Sequence, residues 1–507
     1  MNIVFKDYSP NQLMLLPPSL EELIPINHPS RTINAVIDRI DLSTVYSRYS
    51  ETGASSYHPR MLLKILVYGY LENCFSSRKL EKAIRENIMF MWLAGMQQPD
   101  HHTINRFRSE RLKEVIGDIF AQVVLLLHEE GLLDIREVYT DGTKIEANAN
   151  RYTFVWGKAI KNNKERISKQ LKELWEYAGS VAEEELGNEE PDFVNPSPEK
   201  VARTVAQINQ ALEDKSVDKK VRQKLNYAKK NWPAKLEEYT QKEEILGGRK
   251  SYSKTDQDAT FMRMKEDHMK NGQLRPAYNL QLSTHDQFVV NYSIHPNPTD
   301  TLTLKPHLER YYQLFGFYPS TCTADAGYGS EENYSFLEEN RIEAFVKYNH
   351  FHNELQQESK PKKVHGLLDN LHYDPGQDRY ICPMGQPMEP SGESIGKTST
   401  GFVQHYRHYR AKNCGGCPLS AACKPGTGNK VLKINRRLQE LKTKAKERLT
   451  SEQGIRKRKQ RATDVEPVFG HFKHNKGRGR FMLRSKEKVS VETGLLAIAH
   501  NLAKMAG

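Results

Sequence analysis

Apolar residues recur at helical spacing throughout the first quarter of the chain. His58-Pro59 opens the apolar stretch MLLKILVYGYL, and proline suits the first helical turn because its missing N–H would have no partner there. Ser76 precedes RKLEKAIREN, and Asp100 precedes a longer run whose apolar residues follow a helical period. These patterns predict a helical N-terminal domain over residues 1–130.

The run that begins at Asp100 also carries basic residues on its polar faces, Arg106 and Arg108 among them. Such a pattern is typical of a helix-turn-helix-like domain that binds DNA. A plain helical bundle with a polar outer face gives the same pattern, and no base-reading residue can be identified. Both interpretations therefore stay open for this domain.

Alternating apolar and polar positions predict strands in the middle of the chain. REVYTDGTKIEANANR predicts a strand with a tight feature at Asp141-Gly142, and AYNLQLSTHDQFVVNYSIHP predicts two antiparallel strands around the turn signal HDQ. TDTLTLKPHLERYYQLFG predicts a helix capped by Thr299 or Asp300. STCTADAGYGSEENYSFLEENRIEAFVKY then predicts strand, loop, helix and strand, so the fold class is α/β with a mixed sheet.

Two segments interrupt this core. The first is charged and helical, with Val201, Val205 and Ile208 on one stripe, and it predicts an inserted helical hairpin. The second holds most of the cysteines in short, turn-rich pieces. The predicted parts of the chain are the helical domain 1–130, the core segments 131–157, 251–347 and 431–507, the helical insertion 158–250 and the Cys-rich insertion 348–430.

The hydropathy pattern predicts no membrane segment. The longest apolar run, residues 119–127, is interrupted by Gln122 and is far shorter than the roughly 20 residues that a spanning helix needs. The N-terminus also lacks a basic stretch followed by an uninterrupted apolar core, as a secretory signal requires. We therefore expect a cytoplasmic protein.

The positive charge of the chain is concentrated in one tract. The sequence has 75 Lys and Arg against 63 Asp and Glu, a formal net charge of +12. Residues 424–488 alone hold 21 Lys or Arg against 6 Asp or Glu, so the rest of the chain is slightly acidic. Such a tract favours a polyphosphate partner, because neutralised phosphates release condensed counterions. A solvated basic surface is the alternative.

Four of the six cysteines form a candidate metal site. Cys382, Cys414, Cys417 and Cys423 lie in CPMG and CGGCPLSAAC, where small residues let the backbone curl so that two sulfurs face one ion. Four thiolates with one close pair suit a tetrahedral structural Zn²⁺, and disulfides are unexpected in a reducing cytosol. Unligated thiols and a redox pair are the alternatives to zinc.

Three acidic residues form a second candidate metal site. Asp141 lies on the first predicted strand of the core, and Asp325 ends a later strand in TADAGYGS. Glu466 opens EPVFGHFKHNKGRGRF, where Pro467 favours the first helical turn and the apolar residues pack on the sheet. If the strands are neighbours, the three carboxylates meet and offer the oxygen ligands that Mg²⁺ prefers. Taken singly, each acid is equally well a turn, loop or surface residue.

Basic residues follow the third acid. Lys473 lies seven positions after Glu466, about two turns or roughly 10 Å along one helix face. Lys476, Arg478 and Arg480 come next, and these four cations would hold a phosphate backbone that leads into the metal site. Two divalent ions about 4 Å apart would then assist an in-line displacement at phosphorus.

Ordered blocks along most of the chain resemble the bacterial insertion-sequence transposases of the DDE class. YHPRMLLKILVYGYLENCFSSRKLEKAIRENIMFMWLAG and PDHHTINRFR resemble their helical N-terminal domain, and VYTDGTKIEANANRY resembles the block around their first acid. FMRMKEDHMKNGQLRPAYNLQ and TADAGYGSEENY resemble the next two blocks. EPVFGHFKHNKGRGRF is similar to the block that carries the catalytic Glu and a downstream Lys.

The resemblance implies a ribonuclease-H-like catalytic core. It places the catalytic, metal-binding acids at Asp141, Asp325 and Glu466 and a DNA contact at Lys473. Related transposases carry a Tyr and an Arg before the Glu, with three residues between Arg and Glu. Here Ala462 occupies that position, Arg461 lies one residue further away and the Tyr is missing, so Arg461 is assigned as a DNA contact on the resemblance alone.

The resulting hypothesis is a DNA transposase that binds the terminal inverted repeats of its own element and cuts and joins strands with Mg²⁺, for which Mn²⁺ substitutes. The expected partners are terminal-repeat DNA, target DNA and a second copy of the chain in a homodimer associated with the nucleoid. A nuclease that hydrolyses without strand transfer and an inactive DNA-binding protein are the alternatives. Paired carboxylates also serve glycosidases, but the basic tract disfavours a neutral sugar.

Overall fold

The computed structural model describes residues 19–49, 56–182, 191–194, 196–264, 272–357, 371–424, 426–477 and 479–507. The helices are α1 Pro29–Arg39, α2 Ser43–Tyr46, α3 Pro59–Leu71, α4 Ser77–Glu86, α5 Ile88–Leu93, α6 His101–Arg106, α7 Ile116–Glu129, α8 Gly157–Val181, α9 Pro198–Ala211, α10 Lys219–Leu246, α11 Leu304–Phe315, α12 Glu331–Glu339, α13 Phe351–Gln357, α14 Ser420–Cys423, α15 Arg436–Thr450, α16 Glu452–Gly470 and α17 Lys486–Ala506. The strands are β1 Glu137–Glu146, β2 Phe154–Trp156, β3 Ser251–Ser253, β4 Thr260–Arg263, β5 Leu274–His285, β6 Phe288–His295, β7 Thr321–Ala324, β8 Glu343–Val346, β9 His372–Asp374, β10 Arg379–Ile381, β11 Pro387–Lys397, β12 Val403–Ala411 and β13 Val431–Ile434.

The N-terminal part is helical, as its apolar spacing predicts. Pro59 stands in the first turn of α3, and the Asp100 carboxylate accepts the backbone N–H of Thr103 at 2.8 Å to cap α6. The long run after Asp100 is not one helix, because a π-helical turn over Phe107–Arg111 separates α6 from α7.

The helices α1 to α7 share one apolar core with the sheet. The C-terminal helix α17 makes this connection, since it packs against α3 and α7 on one side and against β6 on the other. Gly494 of α17 marks the closest approach, because a Cβ there would lie 2.5 Å from the Tyr292 hydroxyl of β6. The N-terminal helices are therefore packed onto the core of the protein.

A mixed sheet forms the centre of the chain, which confirms the α/β class. Its strands run in the order β6, β5, β1, β7 and β8, and β4 pairs with the other half of β5. The β5 strand is antiparallel to β1 and β6, whereas β7 is parallel to β1 and β8. In this arrangement β7 ends beside Thr140, in the first half of β1, which continues to Glu146.

The strand predicted around Asp141-Gly142 is confirmed, but the tight feature expected at its middle is absent. Strand β1 runs through both residues, with Asp141 opposite Leu282 and Gly142 opposite Gln281 of β5. Glycine is required there by close approach, since a Cβ at position 142 would lie 2.2 Å from Nε2 of Gln281. The turn signal therefore came from a glycine that serves packing across the sheet.

Among its described residues the first insertion has three helices, so the predicted helical hairpin was wrong. Helices α8, α9 and α10 pack on one another around their own apolar core, which includes Leu171, Ile208 and Trp232. The stripe of valines and isoleucines seen in the sequence belongs to α9, and the third helix lets that stripe be covered from two sides.

The second insertion folds as a five-stranded antiparallel sheet in the order β13, β12, β11, β10 and β9, and its last strand, β13, lies just past the predicted end at residue 430. Turn-rich pieces were expected instead. The central strands β11 and β12 read PMEPSGESIGK and VQHYRHYRA, which are too polar to show an apolar alternation. Their stability comes from a small core that includes Tyr380, Met388 and Tyr409.

Helix α16 carries Glu466 and begins at Glu452, well before the position that the sequence suggested. Pro467 is therefore inside the helix rather than in its first turn. Proline cannot bond to the carbonyl four residues back, which is Thr463 O. Gln287 replaces the missing donor, because its Nε2 donates to that oxygen at 3.2 Å. A π-helical turn, His471–Asn475, follows α16 directly.

None of the helices in the described ranges is both long enough and apolar enough to cross a membrane.

Candidate active site around Asp141, Asp325 and Glu466

The strand register brings two of the three acids together. Thr140 of β1 pairs with Ala324 of β7 in parallel, and Asp141 and Asp325 each come next in their own segment. Asp141 and Asp325 therefore lie side by side at the edge where β7 ends, although β1 continues to Glu146. The sequence left open whether the two strands are neighbours, and the pairing of β1 with β7 shows that they are.

Helix α16 brings the third acid to the same edge. It packs across β1, β5 and β7, and Arg461 in its third turn reaches back to the sheet. Nη1 of Arg461 lies 3.0 Å from Oδ2 of Asp141, and Nη2 lies 3.7 Å from Oε1 of Glu466. The guanidinium therefore connects the acid of β1 with the acid of the helix, while the Glu466 side chain stays 60% exposed.

Asp325 is half-exposed and faces a second cation. Nζ of Lys347 lies 3.4 Å from its Oδ1, and that lysine side chain is 11% exposed. Burial alone would raise the pKa of Asp325, but the backbone N–H of Ala326 and the charges of Arg461 and Lys347 outweigh burial. The pKa of Asp325 is lowered as a result, and its carboxylate is held in the charged form.

A fourth carboxylate, which sequence analysis missed as a site residue, lies beside the first two. Oδ1 of Asp300 accepts hydrogen bonds from Asn279 Nδ2 at 2.8 Å and from Gln281 Nε2 at 3.0 Å. A Cβ on Gly142 would lie 2.7 Å from this oxygen, and one on Gly327 would lie 3.5 Å from Oδ2. Asp300 thus fits between the segments that carry Asp141 and Asp325. The sequence suggested only a helix cap here, whereas α11 begins later, at Leu304.

The donor set at this edge suits a hard divalent cation. It consists of carboxylate oxygens, and the Asp325 and Glu466 side chains are 48% and 60% exposed to solvent. Across the described ranges, no three His, Cys, Asp or Glu side chains are spaced to hold one ion as they stand. The Arg461 guanidinium occupies the space between two of the acids instead.

Several cations named as DNA contacts are engaged within the protein. Arg108 is 4% exposed, and its Nη1 donates to Phe75 O at 2.6 Å. Lys476 donates to Leu71 O at the end of α3, and Arg480 donates to Ala147 O and Ala149 O. These contacts hold segments of the protein together, and the assignment of the three side chains as DNA contacts stays a prediction.

The remaining predicted DNA contacts have different positions. Arg106 is exposed and pairs with Glu110 at 3.4 Å, and Lys473 is partly exposed in the π-helical turn after α16. Arg461 is 9% exposed and paired with the acids. Arg478 lies outside the described residues.

The four clustered cysteines line one cavity of about 290 Å³ at the end of the second sheet. All four are free thiols and partly exposed. The Sγ of Cys382 accepts the N–H of Gln386 at 3.3 Å, and the Sγ of Cys414 accepts the N–H of Lys430 at 3.4 Å. The four side chains thus share one cavity, as the ligands of one structural zinc ion would.

Two family models match the chain. The Transposase DDE domain matches residues 381–506, which include Glu466, and the Transposase domain (DUF772) matches residues 18–110. Asp141 and Asp325 lie outside both matches. No curated protein and no solved structure matches the chain. Both matched models describe parts of transposases, and the two matches support an insertion-sequence transposase of the DDE type.

Proposed function

We propose that this protein is an active DNA transposase that cleaves and joins DNA strands with divalent metal ions held by Asp141, Asp325 and Glu466. One observation carries the proposal. The first two acids stand on neighbouring parallel strands, and Arg461 of helix α16 links the third to them through contacts of 3.0 Å and 3.7 Å. Residues more than 300 positions apart thus supply acids to one edge of one sheet.

We further propose that the core is ribonuclease-H-like. The strand order β6, β5, β1, β7 and β8 supports this, with three antiparallel strands followed by two parallel ones. The first acid on the central strand, the second after its parallel neighbour and the third on a helix across the sheet are the positions that the resemblance implies.

The residues around the acids have separate tasks in the proposed reaction. Bound Mg²⁺ would supply Lewis-acid activation of a water or 3′-hydroxyl and stabilise the departing oxygen. Lys347 keeps the Asp325 carboxylate charged and directed to the site edge. The Asp300 network with Asn279 and Gln281 holds the strand of Asp141 beside the segment of Asp325.

The proposed partner is DNA, first the terminal inverted repeats of the element and then the target. Arg106 and Arg480 are exposed and Lys473 is partly exposed, so these named basic residues lie on surfaces that a phosphate could reach. The basic tract of residues 424–488 predicts an affinity that falls steeply with salt. A homodimer follows from the need to hold two element ends, and the protein would act in the cytoplasm at the nucleoid.

A cleavage and joining assay tests the function. The parent protein should nick DNA that ends in the element's repeats when Mg²⁺ or Mn²⁺ is present, and should join a supplied 3′-hydroxyl end to a target plasmid. Asp325→Asn should reduce both by about a thousandfold or more while DNA binding persists. Glu452→Gln is the matched control, because this acid of the same helix is 91% exposed at its start.

The outcomes separate the three candidate functions. Cleavage without joined product identifies a nuclease that hydrolyses only. DNA binding without cleavage by the parent protein, in either metal, identifies an inactive DNA-binding protein. Equal activity of Asp325→Asn and the parent contradicts the proposed site.

We also propose that Cys382, Cys414, Cys417 and Cys423 close on one structural Zn²⁺. The shared cavity and the two N–H···S contacts support this. Elemental analysis after gentle dialysis should find one zinc per chain, and a Cys417→Ser variant should lose it. Less than stoichiometric zinc in the parent protein contradicts the proposal.

A further inference from the structure

Arg461 is almost fully buried and only partly paired. Its side chain is 9% exposed, and the 3.0 Å contact with Asp141 is its one short ion pair at this site. The 3.7 Å separation from Glu466 is too long for a hydrogen bond. Its Nε is buried and has no hydrogen-bond partner in the described ranges. A guanidinium with unused donors is costly to bury, so this side chain is poised for another acceptor.

The Arg461 guanidinium also acts on Asp325. The charge of Arg461 contributes, after the Ala326 N–H, to the lowered pKa of Asp325. Three carboxylates at this edge therefore face two internal cations, Arg461 and Lys347. Without such cations the acids would repel one another and move apart, because like charges at short range are destabilising.

Divalent ions and the guanidinium compete for the same oxygens. An ion held by Asp141 and Glu466 would lie a few ångströms from the Arg461 charge, which opposes its binding. The phosphate of a DNA strand offers the guanidinium an alternative, since the planar fork of arginine matches phosphate oxygens. Metal ions and DNA together therefore favour the Arg461 side chain on a DNA phosphate. Without them, the side chain is favoured beside Asp141 and Glu466.

We propose that Arg461 is an internal counter-cation that holds Asp141 and Glu466 together in the free protein and transfers to a DNA phosphate when metal ions enter. This inference rests on the proposed function. In the absence of DNA, the Arg461 charge keeps the affinity for metal ions low. The acids are then already close together but hold no metal ion.

Mn²⁺ binding to the DNA-free protein, measured by electron paramagnetic resonance, tests the inference. Arg461→Gln should bind Mn²⁺ about tenfold more tightly than the parent, because one opposing charge is removed. Arg461→Met is a second variant for the case that glutamine unfolds the protein, since its unbranched apolar side chain fills a similar space.

Lys457→Gln is the matched control. Lys457 lies one turn before Arg461 on the same helix and pairs with Glu137, four positions before Asp141 on the same strand. The Mn²⁺ affinity of the Lys457→Gln variant should stay within about twofold of that of the parent, because Glu137 is not a proposed metal ligand. Asp325→Asn in each background identifies the Mn²⁺ that belongs to the site.

Each outcome decides between the two proposals. Tighter Mn²⁺ binding in the Arg461 variants alone, abolished by Asp325→Asn, supports the counter-cation. Mn²⁺ that Asp325→Asn removes but that Arg461→Gln and Arg461→Met do not tighten overturns the counter-cation and leaves the proposed function standing. Mn²⁺ binding that Asp325→Asn never affects, with terminal DNA also present, overturns the proposed function and the counter-cation with it.

Discussion

Gly142 and Gln281 face each other across strands β1 and β5 so closely that a Cβ at position 142 would lie 2.2 Å from Nε2 of Gln281. Gln281 in turn donates to Asp300 and accepts the Tyr328 hydroxyl. A single glycine, next to Asp141, thus lets a polar network fill the space between the first strand and the segment of Asp325.

Gly142→Ala should therefore destabilise the fold and disturb the acids. We expect a loss of about 1–3 kcal/mol in the free energy of unfolding, as for other overpacked positions, with a marked loss of DNA cleavage. Urea unfolding and the nicking assay measure the two effects. Gly179→Ala is the control, because nothing lies within 4 Å of a Cβ there and alanine suits the helix interior. Equal stability of Gly142→Ala and the parent would contradict this packing.

Substitutions at Lys473 and Lys476 should have different effects on DNA binding and stability, although the two lysines are only three positions apart. Lys473→Gln should weaken DNA binding for every sequence and reduce the slope of log affinity against log salt by about 1. Lys476→Gln should leave that slope unchanged and lower stability by about 1–2 kcal/mol, because it removes the donor to Leu71 O at the end of α3. Fluorescence anisotropy at several salt concentrations measures the slopes. If the slope of log affinity against log salt decreases by a similar amount in both variants, Lys476 contacts DNA.

Acid should destabilise the protein through buried histidines. Burial lowers the pKa of His500 from 6.5 to about 4, although its hydrogen bond to Gln287 O opposes the shift. The folded state therefore keeps this ring neutral while the unfolded chain takes up a proton below about pH 6.5. Stability is full above that pH and decreases as the pH falls toward about 4, by about 3 kcal/mol from this group.

Urea unfolding between about pH 7 and pH 4.5 measures this decrease. His500→Asn should have a shallower pH dependence, since asparagine keeps a donor for Gln287 O but does not titrate. The same slope in both proteins would exclude His500 as a source of the acid sensitivity.

The sequence predicts the elements that apolar periodicity specifies. The core strands around Asp141 and Asp325 and the start of α3 at Pro59 follow local rules, so the structure agrees with the prediction. The Cys-rich sheet was missed, because β11 and β12 are polar and gain stability from pairing along their length. Pairing within a hairpin of polar strands leaves no periodic apolar signal in the sequence.

The sequence predicted the contacts within the candidate site less well than it predicted the fold. The three acids were named partly through a resemblance, and their meeting depends on a strand register that no local pattern encodes. Arg461 was assigned as a DNA contact, but no local pattern showed that it also pairs with Asp141 across 320 positions of sequence. The sequence also did not show that Lys476 and Arg480 donate to backbone carbonyls. A basic residue in a basic tract gives the same pattern whether it binds a phosphate or a carbonyl oxygen. Tertiary contacts alone separate these roles.

Anomalous scattering from Mn²⁺ in crystals of the protein with DNA from its element ends tests the central claim most directly. We predict anomalous peaks at the edge of the sheet, within about 2.0–2.6 Å of carboxylate oxygens of Asp141, Asp325 and Glu466. The guanidinium of Arg461 should then lie on a phosphate rather than on Asp141. Mn²⁺ bound only elsewhere, with the three carboxylates free of metal in the presence of DNA, would contradict the account.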